Sequence, residues 1–169
     1  MKDTARDWSN TIMKRLPPTP NYTGIEKKDR FYYGFLGELA FEELLRVRHK
    51  KAIHKVILNG KSQDEDFLCS FLIGDKKVDI KTSPLSYARW MLFPKSQYAE
   101  QGYIYVGVRL QEGFASIMGW CLYSDMNKDL EIQKALPIPT NHIAFDKMND
   151  INNLVSKMID GELKVNLII

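Results

Sequence analysis

The stretch "KKVDIKTSP" (residues 76–84) decides how this chain is read. Val78 and Ile80 have the character of buried strand residues, and Asp79 and Lys81 alternate with them. Residues two apart on a strand share a face. Asp79 and Lys81 therefore point the same way, about 6–7 Å apart at the backbone, while Val78 and Ile80 point into the opposite layer. An acid and a base so placed suit a solvated strand edge. They also suit half of a metal-dependent site.

Working outward, "DFLCSFLI" (residues 66–73) reads as a buried strand, and "GDKK" (residues 74–77) as a short hairpin turn into the Asp79 strand. That hairpin sets Asp66 near Lys81 and beyond, not far from Asp79. Upstream, "AIHKVIL" (residues 52–58) is a further strand, ended by Asn59 and Gly60. Thr23 and Glu26 have the spacing of a capping box, and a helix follows from about Lys27 or Asp29 to Arg48, weakened in its first half by Gly34 and Gly37. Its apolar stripe is Leu36, Ala40, Leu44 and Val47, widened by Phe41 and Leu45, the pattern of a helix packed on a sheet. Glu38 falls at the border of that stripe, beside Leu45.

Downstream, "YIYVGVRL" (residues 103–110) is apolar on both faces, as a central strand is. "FASIMGWCLYS" (residues 114–124) is another strand, with a bend expected at Gly119. Asp146 is the expected cap of a last helix over residues 147–159. A short helix over residues 4–15 stops before "PPTP". The layout is mixed α/β around one sheet.

The bulk numbers narrow the class. A length of 169 residues suits one domain with a single core. Hydrophobic residues make up 44% and charged residues 27%, so an ordinary globular core is expected. The net charge of +3 permits a polyanionic partner without arguing for one. Cys69 and Cys121 sit in apolar runs and read as small buried residues. His49, His54 and His142 have no ligand spacing, which speaks against the usual zinc sites. No apolar run reaches the roughly 18 residues of a membrane span, and the opening "MKDTARDWSN" is polar. A cytoplasmic protein with no membrane partner is the expectation.

Glu38, Asp66, Asp79 and Lys81 can thus converge at one sheet end. Three carboxylates and a lysine are what metal-assisted phosphodiester hydrolysis requires. Mg²⁺ (or Mn²⁺) takes hard oxygen ligands, and the Ile80 backbone carbonyl, between the two strand residues, can add one more. A bound divalent ion lowers the pKa of a water, and a neighbouring lysine orients the nucleophile or offsets transition-state charge.

The order of these residues carries a resemblance. "GELAF" on a helix, then "DF" opening a strand, a short hairpin and "VDIKTS" resemble the PD-(D/E)xK nuclease superfamily, the restriction-endonuclease-like fold. The likeness covers roughly residues 34–110. It implies an αβββαβ core, a mixed central sheet flanked by helices. It also implies that Asp66 and Asp79 bind metal, that Lys81 is catalytic, and that Glu38 assists the metal or its water. The chain departs from the pattern in two places. Glu65 stands where a proline precedes the first acid, which leaves Asp64 and Asp66 as alternatives. Asp66 is preferred because Phe67 starts the apolar run directly after it. The third acid is Asp79, an aspartate and not a glutamate.

The expected architecture is one nuclease-like domain over residues 1–169, with its core at about 30–124 and peripheral helices and loops at 1–29 and 125–169. The expected activity is divalent-metal-dependent cleavage of phosphodiester bonds, as an endonuclease or exonuclease, with DNA favoured over RNA as partner. Cutting both strands takes two sites, which leaves room for a homodimer. The alternative is a non-catalytic nucleic-acid-binding or assembly module that keeps the fold. "RVRHKK" (residues 46–51) reads equally as a phosphate contact or a cationic helix end. "SYARWMLFP" (residues 86–94) reads as a base-stacking segment with Arg89 on phosphate, or as Trp90 and Phe93 covering the sheet, the second being preferred.

Overall fold

In the computed structural model the residues described are 2–3, 5–7, 27–49, 67–71, 74–95, 103–136 and 138–157. Helix α1 spans Lys27–His49 and is followed by strands β1 (Phe67–Phe71), β2 (Gly74–Ser83), β3 (Trp90–Pro94), β4 (Tyr103–Gln111) and β5 (Phe114–Leu122). Helix α2 (Leu130–Ala135), strand β6 (Thr140–Ala144) and helix α3 (Ile151–Lys157) complete the order. The expected strand at 52–58, the Thr23 capping box, and both Asp64 and Asp66 lie outside the described residues.

The main sheet has the order β1-β2-β4-β5. β1 and β2 are antiparallel, β2 and β4 parallel, β4 and β5 antiparallel, so the sheet is mixed as expected. One face is apolar. Val78 and Ile80 of β2 and Ile104, Val106, Val108 and Leu110 of β4 pack with Phe41 and Leu45 of α1 and Leu154 and Val155 of α3. The other face carries Tyr103, Tyr105 and Cys121, packed with Met91 and Phe93 of β3 and Ile143 of β6. β4 is buried along nearly its whole length, in keeping with its apolar sequence.

The crossover between the parallel strands differs from the expected helical core. Its described residues 84–95 hold no helix; they carry β3, which pairs antiparallel with β6 as a separate two-stranded sheet. Helices therefore cover one face of the main sheet and this small sheet covers part of the other. Trp90–Pro94 is rich in bulky apolar residues, and its alternate members Met91 and Phe93 are buried, a strand period and not a helical one.

The hairpin is also displaced. Phe71 pairs with Gly74 and Phe67 with Val78, so residues 74–77 lie inside β2 and do not form the turn. The start of β1 consequently faces Val78, not Lys81. The bend expected at Gly119 is present as a bulge. Gly107 pairs with Gly119 but Val108 with Ile117, so Met118 is the extra residue. Gly119 has φ +150°, and a Cβ there would lie 2.6 Å from the Asn149 carbonyl oxygen. That closeness lets Trp120 and Asn149 exchange two backbone hydrogen bonds of 3.0 and 2.8 Å. The same bridge corrects the last helix. Asp146 lies in a 3-10 turn (Phe145–Lys147) and Asn149 is held as an added rung, so the cap is Asp150, whose Oδ1 accepts from Asn152 N at 2.9 Å, and not Asp146. The described helix starts at Ile151.

α1 is turned relative to the expected stripe. Phe41 and Leu45 are fully buried, Leu36 and Leu44 only partly, and Val47 is 64% exposed. On the flank of the buried face, Phe35 and Leu39 pack with Ala5 of the N-terminal helical residues. The reason lies at Gly37. A Cβ there would overlap the Thr82 side chain of β2, so the helix presses against the sheet at this point, and the side that includes Gly37, Phe41 and Leu45 faces inward. The pair of Arg46 and Glu43 is exposed and contributes little beside this packing.

The two helix glycines should therefore respond oppositely to alanine. Gly34 has no atom within 4 Å of a built Cβ, so Gly34→Ala should stabilise by about 0.5–1 kcal/mol through helix propensity. Gly37→Ala should destabilise by about 1–3 kcal/mol, because the added methyl must push Thr82 or the whole helix outward. Urea denaturation of the two variants checks this, and equal midpoints would contradict the close approach.

Candidate active site

Strand alternation puts Asp79 and Lys81 on the face away from the apolar helix layer. Asp79 is 5% exposed. A buried carboxylate is costly unless paired, and its partner is Lys81, whose Nζ lies 2.9 Å from Asp79 Oδ2. The lysine remains partly accessible. Its ammonium also sits 5.0 Å from the centroid of the Phe93 ring, within the range of a cation–π contact. Phe93 in turn stacks on Tyr105 at 5.4 Å, and Tyr105 on Tyr103 at 6.1 Å. Tyr105 is the register partner of Asp79 across the parallel pair. The acid and base thus lie beside an aromatic wall contributed by β3 and β4.

Glu38 joins them from α1. It follows Gly37, the point of closest approach to β2, and its carboxyl is pushed up from 4.5 to about 8. Burial is the main cause, the negative charge of Asp79 adds to it, and the positive charge of Lys81 partly offsets both. With its carboxyl at about 8, Glu38 is mostly protonated at neutral pH. Glu38 keeps a proton and Asp79 takes the lysine.

The structure therefore pairs Asp79 with Lys81 directly and sets Glu38 of α1 within electrostatic reach of both. Asp66, expected to be the third acid, lies outside the described residues, as does its alternative Asp64. Among the described residues no group of three or more His, Cys, Asp or Glu is placed to hold a metal. Glu38 and Asp79 each carry hard carboxylate oxygens, the ligand type that a divalent ion such as Mg²⁺ takes. Ile80 lies between the two site residues with its side chain buried in the helix-facing layer.

Phe93 fulfils the covering role expected of it and adds the contact with Lys81, which local sequence could not show because the two strands meet only through the crossover. Arg109 was also not singled out. It pairs in register with Ser83, on the Asp79 and Lys81 face, and the available signal was a lone charged residue in an otherwise apolar strand. Arg89 and Tyr87 are exposed on the crossover. His142 is buried with its ring nitrogens near the Thr140 and Asp129 carbonyls, outside this site. Cys121 is a buried free thiol, as expected for it. Among the described residues no helix is long and apolar enough to cross a membrane.

No family model, no curated protein and no solved structure matches the chain.

The protonated Glu38 has a measurable consequence. Between pH 4.5 and about 8 the unfolded chain releases a proton that the folded chain keeps, so stability falls as pH rises through that window. Below pH 4.5 both states hold the proton, and above about 8 the loss is complete. Glu38→Gln, a neutral isostere, removes this slope. Relative to wild type it should gain on the order of a few kcal/mol on going from pH 4.5 to pH 9. Denaturation at a series of pH values tests it, and a stability difference that is independent of pH would refute the protonated carboxyl.

Proposed function

We propose that this protein is a divalent-metal-dependent nuclease that hydrolyses phosphodiester bonds, most readily in DNA, and that it is related in design to the PD-(D/E)xK enzymes. The observation that carries the reading is the buried Asp79–Lys81 pair, with Lys81 Nζ 2.9 Å from Asp79 Oδ2 and Glu38 of α1 within electrostatic reach of both. The order of elements supports it: a helix bearing the glutamate, an antiparallel hairpin, and a strand bearing Asp-x-Lys that runs parallel to the next long strand.

Each residue then has a defined task. Asp79 and Glu38 would hold Mg²⁺ or Mn²⁺, with Asp66 as a third ligand and the Ile80 carbonyl as a further oxygen. The ion, when bound, polarises the phosphoryl oxygen and acidifies a water. Lys81 donates hydrogen bonds from Nζ to the attacking water or to a non-bridging oxygen, and its positive charge offsets the charge that develops there. Glu38 releases the proton its carboxyl holds in the absence of a cation. Phe93 keeps the ammonium from swinging into solvent, which makes it a positioning residue.

A second reading has one observation in its favour. Asp79 is nearly inaccessible and ion-paired, as a purely structural charge would be in a nucleic-acid-binding or assembly module without catalysis. Calorimetric titration with Mg²⁺ or Mn²⁺ separates the two, because a structural pair binds no cation.

Single-stranded, duplex and branched DNA and RNA should be incubated with the protein and Mg²⁺ or Mn²⁺. Cleavage should fall at least about 100-fold in Asp79→Asn and Lys81→Ala. In Phe93→Leu, kcat should fall about tenfold with KM little changed. Variants that cut as well as wild type would overturn the site, and an inactive wild type that binds no cation would overturn the nuclease.

A further inference from the structure

Arg109 stands on the same face as the proposed site. Parallel register pairs Lys81 with Gly107 and Ser83 with Arg109. Strand spacing and rise then put the Arg109 and Lys81 backbones about 8 Å apart. The guanidinium is part-buried, and its Nη1 donates to the Ala88 carbonyl at 3.3 Å. Its Nε is shut off from solvent without a hydrogen-bond partner. Among the described residues Arg109 has no carboxylate beside it. A part-desolvated cation without an acid is costly, and an anion would relieve that cost.

The Ala88 carbonyl belongs to a turn closed by the Ala88 N to Leu85 O bond of 3.0 Å and fastened by Phe145 N to Arg89 O at 2.9 Å. The acceptor that orients the arginine fork is therefore itself held in place. Arginine matches phosphate better than a point charge does, because its fork presents several donors in one plane.

We infer that Arg109 is a phosphate-binding residue that holds the nucleic-acid backbone beside Lys81. This rests on the nuclease reading for the identity of the ligand, a phosphodiester. The alternative role for Arg109, fastening the crossover turn alone, makes a different prediction. Glutamine keeps a donor for the Ala88 carbonyl but loses the charge. Lysine keeps the charge.

The test is fluorescence anisotropy of labelled single-stranded and duplex oligonucleotides with the full chain, in Ca²⁺ and over a range of salt. Arg109→Gln should weaken binding about tenfold and reduce the slope of log affinity against log salt by about one. Arg109→Lys should keep the slope. Arg109→Gln with wild-type affinity and slope would overturn the assignment. If wild type binds no nucleic acid, the nuclease reading falls separately, and inorganic phosphate decides the arginine. A phosphate-dependent shift of the Arg109 Nε–Hε NMR signal would sustain an anion site, and an unmoved signal would end it.

Discussion

A carboxylate buried in the middle of a sheet constrains everything around it. Asp79 sits on β2 with almost no access to water, so its charge must be met within the fold. Lys81, two residues on, meets it from the same face at 2.9 Å. Strand alternation then sends Val78 and Ile80 to the opposite face, where only an apolar layer can receive them. The division of the molecule follows from this strand. Helices α1 and α3 occupy the apolar side, and β3 and β6 bring an aromatic cover to the other.

The second constraint is steric. Glycine in a helix costs stability, yet Gly37 is where α1 touches β2 through Thr82. The close contact sets the rotation of the helix and delivers the next residue, Glu38, to the electrostatic reach of Asp79 and Lys81. A larger residue at 37 would lift Glu38 away along with the helix. The local penalty of the glycine and the placement of the glutamate are thus one feature.

Sequence reached the parts of this arrangement that depend on local periodicity. The faces of β2, the double-sided burial of β4 and the bend at Gly119 all follow from spacings within one element. What it missed depends on partners far along the chain. The turn at 74–77 was misplaced because the antiparallel register, with Phe71 opposite Gly74, is set by the pairing as a whole and not by turn-like residues. Val47 fits an ideal stripe but lies beyond the sheet contact, and only the Gly37 approach reveals the true rotation. Asp146 and Asp150 are equally good caps in isolation; the rung between Trp120 and Asn149 chooses Asp150. Phe93 and Arg109 acquire their roles through the crossover, which places β3 and β4 beside β2 after an interval that no short pattern spans.

The protonation state links this geometry to the proposed chemistry. With Glu38 neutral, Asp79 negative and Lys81 positive, the buried group carries no net charge, which is the state a folded chain can hold without a ligand. A divalent cation in place of the Glu38 proton would turn that balance to one positive charge, the complement of a phosphodiester monoanion. Arg109 is a further positive group on the same face of the sheet. On this reading the proton on Glu38 is a placeholder. The low dielectric that makes two bare carboxylates incompatible is also what would strengthen their joint hold on a cation.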